Sequence, residues 1–266
     1  VVKIDDQALK PVTDFVVSPD FTSQKGTFNI HYLPAAADTV GILFDSISKI
    51  DYTGKYLLSP FKKHKLQRQN PFKAAGIIQP KPHVYWWAST GHTEAETGII
   101  MVVDSLLVPG ASEITVDIKN KFVKNHKTQN VLATIKGTAQ PDSFIVFTAH
   151  YDHLGMMGKN NVFRGANDNA SGTAMVMSLA KYFSKPENRP KYSIAFMLFA
   201  AEETGLIGSS TYVENPRFPL SQISALVNFD MVGSGSKGIT LVNGKNAPGI
   251  VDKLTTVNAE KGYVSD

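Results

Sequence analysis

The chain has no cysteine among its 266 residues. That removes disulfide scaffolds and thiolate metal sites, so any zinc here has to be held by imidazole and carboxylate. No apolar stretch is long enough to span a bilayer, nothing repeats, and no segment is of low complexity. Three common catalytic signatures are missing as well: the GxSxG nucleophile turn, the Walker-A phosphate loop and the dinucleotide fingerprint. Concentrated positive charge is scarce. The formal charge is +4 and the pI near 9.0, but both come from scattered lysines. The densest basic run, Lys62-Lys63-His64-Lys65 with Arg68, is short and carries no interleaved aromatic. It reads as a solvated loop, and no nucleic-acid partner is expected. What is present is an apolar content of 42%, enough for a sizeable core in one domain or in one domain with an insertion.

Residues 1–35 carry two short β-like runs, Phe15-Val16-Val17 and Phe28-Asn29-Ile30-His31-Tyr32, separated by Ser, Pro, Asp and Gly turn signals. Across 36–108 short strand candidates (40–44, 56–58, 84–87 and 99–103) alternate with Pro- and Lys-rich loops, with one helical stretch near 72–75. That texture suggests a compact β-rich insertion. From 109 to 266 the pattern is regular. Ile114, Val116 and Ile118 alternate with Thr115, Asp117 and Lys119, as in a half-buried strand, and 130–135 is the expected antiparallel partner. Residues 144–149 form the continuous apolar run of a strand covered on both faces. A helix is expected over 170–183, with Ala174, Met177, Leu179 or Ala180, and Phe183 as its apolar stripe. Strand 193–200, a short helix at 206–213 and strand 225–229 follow. This alternation predicts an α/β fold with a mostly parallel sheet, in which ligands gather beyond the carboxyl ends of the strands.

Four clusters fall at those ends: His150-Tyr151-Asp152, Asn167-Asp168-Asn169, Glu202-Glu203 and Asn228-Phe229-Asp230. Each has a plainer reading, as a solvent-facing strand end, a helix N-cap, a helix-start pair facing water, or an Asp before a Gly-rich loop. Together they supply what a two-metal hydrolase needs. A metal-bound imidazole donates its second N–H to a carboxylate or carbonyl; Asp152 could fill that role or be a ligand itself. Gly165, Ala166, Ala170 and Gly172 let backbone close around the Asp168 carboxylate, which could bridge two cations. Adjacent glutamates at the mouth of an apolar strand repel unless cations are near. One that binds metal beside one that moves a proton explains the pair. Asp168, Glu203 and Asp230 bring three negative charges against the four positive charges of two zinc ions, and one hydroxide makes the centre neutral.

The strings Ala149-His150-Tyr151-Asp152-His153-Leu154-Gly155, Gly165-Ala166-Asn167-Asp168-Asn169-Ala170-Ser171-Gly172, Ala201-Glu202-Glu203-Thr204-Gly205-Leu206-Ile207-Gly208-Ser209 and Asn228-Phe229-Asp230-Met231-Val232-Gly233 resemble the motif series of the co-catalytic zinc aminopeptidases. That group includes the bacterial leucyl-type aminopeptidases and, more distantly, glutamate carboxypeptidases, glutaminyl cyclases and the transferrin receptor. The resemblance covers roughly 114–266 and implies a mixed, mostly parallel sheet with helices on both faces. It implies His150 and Asp230 on one zinc, Glu203 on the other, Asp168 bridging, Glu202 as general base, Asp152 orienting His150, and a cis peptide between Asp168 and Asn169. It implies peptides with a free N-terminus as substrates, attacked by a metal-bridged hydroxide. Residues 36–108, through Gly54-Lys55-Tyr56-Leu57-Leu58 and Ala74-Ala75-Gly76-Ile77-Ile78, resemble the protease-associated insertion of many members.

One departure stands out. The family takes its second-zinc histidine from just behind a Ser/Thr-Asp dipeptide, and this sequence stops at Ser265-Asp266. The usual N-terminal helix is also not seen, so the chain reads as trimmed at both ends and is expected to hold one zinc or none. His31, His64, His83, His92 and His126 lie in the amino-terminal part or in loops, and His153 follows the HxD motif; none has a context that replaces that ligand. The start at Val1-Val2-Lys3, with no Met, fits a cleaved export signal and a secreted or periplasmic protein. Two other functions fit the same scaffold: single-zinc glutaminyl cyclization and a binding protein that has lost catalysis.

Overall fold

The computed structural model describes residues 1–33, 49–59, 70, 72–84, 94–235 and 238–263. The strand expected at 40–44, most of that at 84–87, the basic run at 62–68 and the dipeptide at 265–266 lie outside the described residues. The strands, in chain order, are β1 Val2–Ile4, β2 Gln7–Ala8, β3 Phe15–Val17, β4 Gln24–Tyr32, β5 Lys55–Leu58, β6 Gly76–Lys81, β7 Gly98–Val103 and β8 Glu113–Ile118. They continue with β9 Val131–Ile135, β10 Gln140–His150, β11 Met156–Met157, β12 Asn161–Val162, β13 Tyr192–Phe199 and β14 Ile223–Asn228. The α-helices are α1 Gly172–Phe183, α2 Ile207–Glu214 and α3 Pro248–Lys261. The chain divides into two compact units. The first comprises Val1–Lys127, Leu154–Arg164 and Glu203–Gly205, the second Thr128–His153, Gly165–Glu202 and Leu206–Asp266.

The first unit is built on an eight-stranded sheet in the order β2-β1-β8-β4-β5-β6-β7-β3. The parallel trio β5-β6-β7 is apolar almost throughout, and its Tyr56, Ile78, Ile100 and Val102 pack with Val2, Ile4, Phe15 and Ile114 in one core. β4 alternates half-buried with exposed residues, the pattern of a strand with one wet face. Strands from 1–35 and 113–118 thus pair within the same sheet as strands from 36–108.

Two sequence expectations are corrected in this unit. β8 pairs with β1 and β4, not with 130–135. Alternation reveals that one face of a strand is buried but not which strand lies beside it. The polar, mostly exposed residues 119–130 also contain no tight-turn signal that would close a hairpin. Residues 72–75 form no helix. The Asn70 carboxamide accepts from the Ala74 amide (2.8 Å) and donates to the Ala74 carbonyl (3.0 Å), which closes a turn instead. That turn leads into β6, a strand that sequence reading did not single out.

The second unit carries a four-stranded sheet, β14-β10-β13-β9, with β10 parallel to β13 and β14 and β9 antiparallel to β13. This is the mostly parallel mixed sheet expected for the α/β fold. Successive residues of β13 point to opposite faces. Ile194 and Phe196 pack with Ala149 and Val176 of α1, while Ala195 and Met197 pack with Val146 and Tyr212 of α2. Helices therefore cover both faces. The stripe of α1 runs through Val176, Leu179, Ala180 and Phe183; Ala174 and Met177 face solvent, which corrects the expected phase of that helix. α3 went unanticipated because it buries no residue and its pattern is weakly amphipathic. Pro248 in its first turn and Gly262, at φ 62°, after its last are the signals that mark its ends.

Gly98 opens β7 where a Cβ would lie 1.9 Å from the Phe21 ring. Gly98→Ala is predicted to lower stability by about 1–3 kcal/mol through overpacking, measured by urea unfolding. An unchanged midpoint would show that the ring yields.

Candidate metal centre

Three parallel strand ends of the second unit deliver the chemistry. His150 closes β10 and is buried at 4% exposure. Thr173 of α1 donates its hydroxyl to the His150 carbonyl (2.9 Å), and the Tyr151 amide donates to the Phe199 carbonyl (2.9 Å), so the backbone on both sides of the imidazole is tied down. Beyond β13, the Ala200 amide donates to the Asn130 carboxamide (3.1 Å), which in turn donates to the Gly208 carbonyl (2.8 Å). A Cβ on Gly208 would meet the Ala200 carbonyl at 2.1 Å, so only glycine lets α2 return this closely. Glu202 sits in that turn. Beyond β14, the Phe229 amide donates to the Thr148 carbonyl (2.8 Å), and Asp230 follows.

Asp168 lies in the six-residue π-type turn Ala166–Ser171 that leads into α1, and its peptide bond to Asn169 is cis. The helix-start amide of Gly172 is capped by the Asn169 carboxamide (2.9 Å), and neither helical segment has a side-chain cap from Asp168. The plain capping role that the sequence allowed for Asp168 thus falls to its neighbour.

These residues converge on His150. Its Nε2 stands 3.2 Å from an Asp168 carboxylate oxygen, 3.5 Å from Asp230 and 3.8 Å from Glu202. Its Nδ1 stands 3.2 Å from the Asp152 carbonyl oxygen and 3.7 Å from the Asp152 carboxylate. That carboxylate also accepts the Glu202 amide at 3.1 Å. Asp152 therefore joins the imidazole to the turn that carries Glu202. Burial works against charging the ring, but the hydrogen bond to Asp152 and the charges on Glu202 and Asp230 outweigh it and raise the pKa of His150 to about 9.

His150, Asp168 and Asp230 each offer a ligand atom, all within 4.8 Å of one another. Donors at about 2.0–2.2 Å around a tetrahedral ion stand about 3.3–3.6 Å apart. The 3.2 and 3.5 Å separations from Nε2 match those edges closely. One imidazole and two carboxylates, partly buried and with no cysteine, form a donor set that fits Zn²⁺.

Of the residues read from the sequence, the second unit brings His150, Asp152, Asp168, Glu202 and Asp230 together. Glu203 is half-buried and begins the Glu203–Gly205 tip, which belongs to the first unit. The structure adds His153, which the sequence reading had passed over as a replacement ligand. Its ring packs where a Cβ on Gly165 would come within 2.7 Å, and it offers a nitrogen within 4.8 Å of an Asp168 oxygen. The left-handed φ of 58° at Gly165 permits that approach, and the signal in the sequence was a glycine opening the GANDNASG run. An apolar cavity of about 280 Å³, walled by Val146, Met197, Phe199, Tyr212 and Leu226, reaches His150, Glu202 and Asp230.

The charged imidazole makes a pH prediction for the metal-free protein. A histidine raised above its unfolded value stabilises the fold fully below about pH 6.5, and that contribution is lost as pH rises through about 9. An NMR titration should find the His150 ring protonated at pH 7.5 in the presence of chelator, and Asp152→Asn should lower its pKa. A ring that titrates near 6.5 would contradict the geometry.

The chain is similar to known proteins over both units. Peptidase family M28 matches residues 130–265. A probable zinc metalloprotease of Leptosphaeria maculans is 29% identical over 207 residues, covering 76% of this chain and 46% of that protein. Leucine aminopeptidase 2 of Arthroderma otae is 33% identical over 131 residues, 49% of this chain and 24% of that protein. The chain thus spans less than half the length of these relatives. A zinc aminopeptidase from Bacillus subtilis has the same fold at a TM-score of 0.58 and 23% identity, over 84% of this chain and 54% of that one. With more than half of its length matched, including every residue that converges on His150, the chain belongs to Peptidase family M28.

Proposed function

We propose that the protein carrying this chain is a zinc-dependent exopeptidase, specifically an aminopeptidase that removes N-terminal residues from peptides. The observation that carries this reading is the convergence of two carboxylates on the His150 Nε2 at 3.2 and 3.5 Å with a third, Glu202, at 3.8 Å. His150, Asp168 and Asp230 would hold one zinc, and Glu203 is read as a ligand of a second. Bound zinc supplies Lewis acidity, polarising a peptide carbonyl and making water a better acid.

The protein's own groups then have separate tasks. Asp152 holds the His150 ring in one orientation through Nδ1 and anchors the Glu202 backbone by a 3.1 Å hydrogen bond. Glu202 takes the proton from the attacking water as the C–O bond forms. It returns the proton to the leaving nitrogen as the C–N bond breaks. Residues 36–108, which supply β5, β6 and β7 of the eight-stranded sheet, correspond in this reading to a protease-associated insertion, and a secreted or periplasmic location belongs with it, testable by cell fractionation. Among the described residues, no helix is long and apolar enough to cross a membrane.

Glu202→Ala, made in the protein expressed from its complete gene, should lower turnover of an aminoacyl-nitroanilide by about 10²-fold or more with zinc content unchanged by metal analysis. Undiminished turnover would remove Glu202 from the reaction. A zinc-loaded wild type with no turnover on any aminoacyl substrate would favour the binding-protein alternative.

A further inference from the structure

Asp168 and Asp230 are like charges on separate loops, both drawn to one nitrogen of His150. Their mutual repulsion pushes the loops apart, and Asp230 is 44% exposed, with room to swing away. Something has to hold the second loop in place.

The hydrogen bonds of the Ala166–Ser171 turn supply that hold. Asn169 is 2% exposed. Its side-chain nitrogen donates to the Phe229 carbonyl (2.9 Å), and its side-chain oxygen accepts from the Met231 amide (3.4 Å) and the Gly172 amide (2.9 Å). The two residues it grips on the far loop flank Asp230, and its own peptide neighbour is Asp168. Further along, the Val232 amide donates to the Ser171 hydroxyl (3.0 Å) and the Gly233 amide to the Asn167 carboxamide oxygen (2.9 Å). Three consecutive amides, 231 to 233, are thus received by side chains of one six-residue turn. The loops lie so close that a Cβ on Gly172 would meet the Phe229 carbonyl at 2.3 Å, and one on Gly233 would meet the Asn167 oxygen at 2.9 Å.

We propose that Asn169 is a positioning residue of the metal centre, clamping the Phe229–Met231 backbone so that Asp230 is held opposite Asp168 across His150. Its chemistry explains why the residue is an amide. An aspartate there would have the same shape and could still accept, but would place an oxygen against the Phe229 carbonyl where a donor now sits. It would also add a further negative charge beside Asp168 and Asp230. The assignment rests on the reading of this centre as a zinc site.

The test uses the protein from its complete gene, with zinc affinity measured by chelator competition and thermal unfolding followed in EDTA and in zinc. Asn169→Ala and Asn169→Asp should each weaken zinc binding about 10–100-fold and shrink the rise in Tm that zinc produces. Ser171→Ala, which frees only the Val232 amide, should weaken binding by less. The proposal is overturned if the Asn169 variants bind zinc within twofold of wild type while losing the same Tm in EDTA as in zinc, because that marks a merely structural side chain. Should the Asn169 variants fail to fold, unchanged zinc affinity in Ser171→Ala overturns it. A wild type that binds no zinc removes the underlying site reading itself, a result distinct from either of these.

Discussion

The second unit is organised by an electrostatic conflict. Asp152, Asp168, Glu202 and Asp230 all bring carboxylates within 3.8 Å of a nitrogen of one imidazole that is 4% exposed. Negative charge gathered this closely in a partly buried place is unfavourable unless positive charge is supplied. Without a cation, the proton on His150 supplies part of it, which is why the ring stays charged to about pH 9. A divalent ion supplies more and satisfies the carboxylate oxygens directly. The parallel order of β10 between β13 and β14 produces the conflict, because three strands running the same way end at the same edge.

The rest of the local structure keeps that arrangement from relaxing. On one side, Asp152 ties the imidazole to the Glu202 turn. On the other, the Asn167 to Ser171 side chains receive the amides beyond Asp230. Gly172, Gly208 and Gly233 are needed because each lies where a Cβ would press on a neighbouring carbonyl or carboxamide oxygen. The small residues that make these motifs look unremarkable in sequence are the condition for bringing charged loops together.

Much of this was legible in the sequence. The apolar runs of β10 and β13 announced strands of the core, that of β14 a parallel neighbour, and the polar clusters closing them marked the site. The missed parts have a common cause: they depend on partners distant in sequence. The alternation of Ile114, Val116 and Ile118 could not show that β8 lies between β1 and β4. The stripe of α1 passes through Val176 and not Met177 because Ile194 and Phe196 meet it there. Asn169 read as an ordinary residue of a capping run, and its grip on Phe229 and Met231 spans about sixty positions of chain. His153 was hidden for the same reason, since its place beside Asp168 follows from the turn at Gly165.

The central claim is that separate strand ends assemble one metal centre around His150. Anomalous diffraction at the zinc absorption edge, on crystals of the protein grown with zinc, addresses it most directly. The account predicts a strong peak about 2.0–2.2 Å from the His150 Nε2 and from oxygens of Asp168 and Asp230. A zinc-replete crystal with no peak there, or with its peaks on other residues, would contradict it.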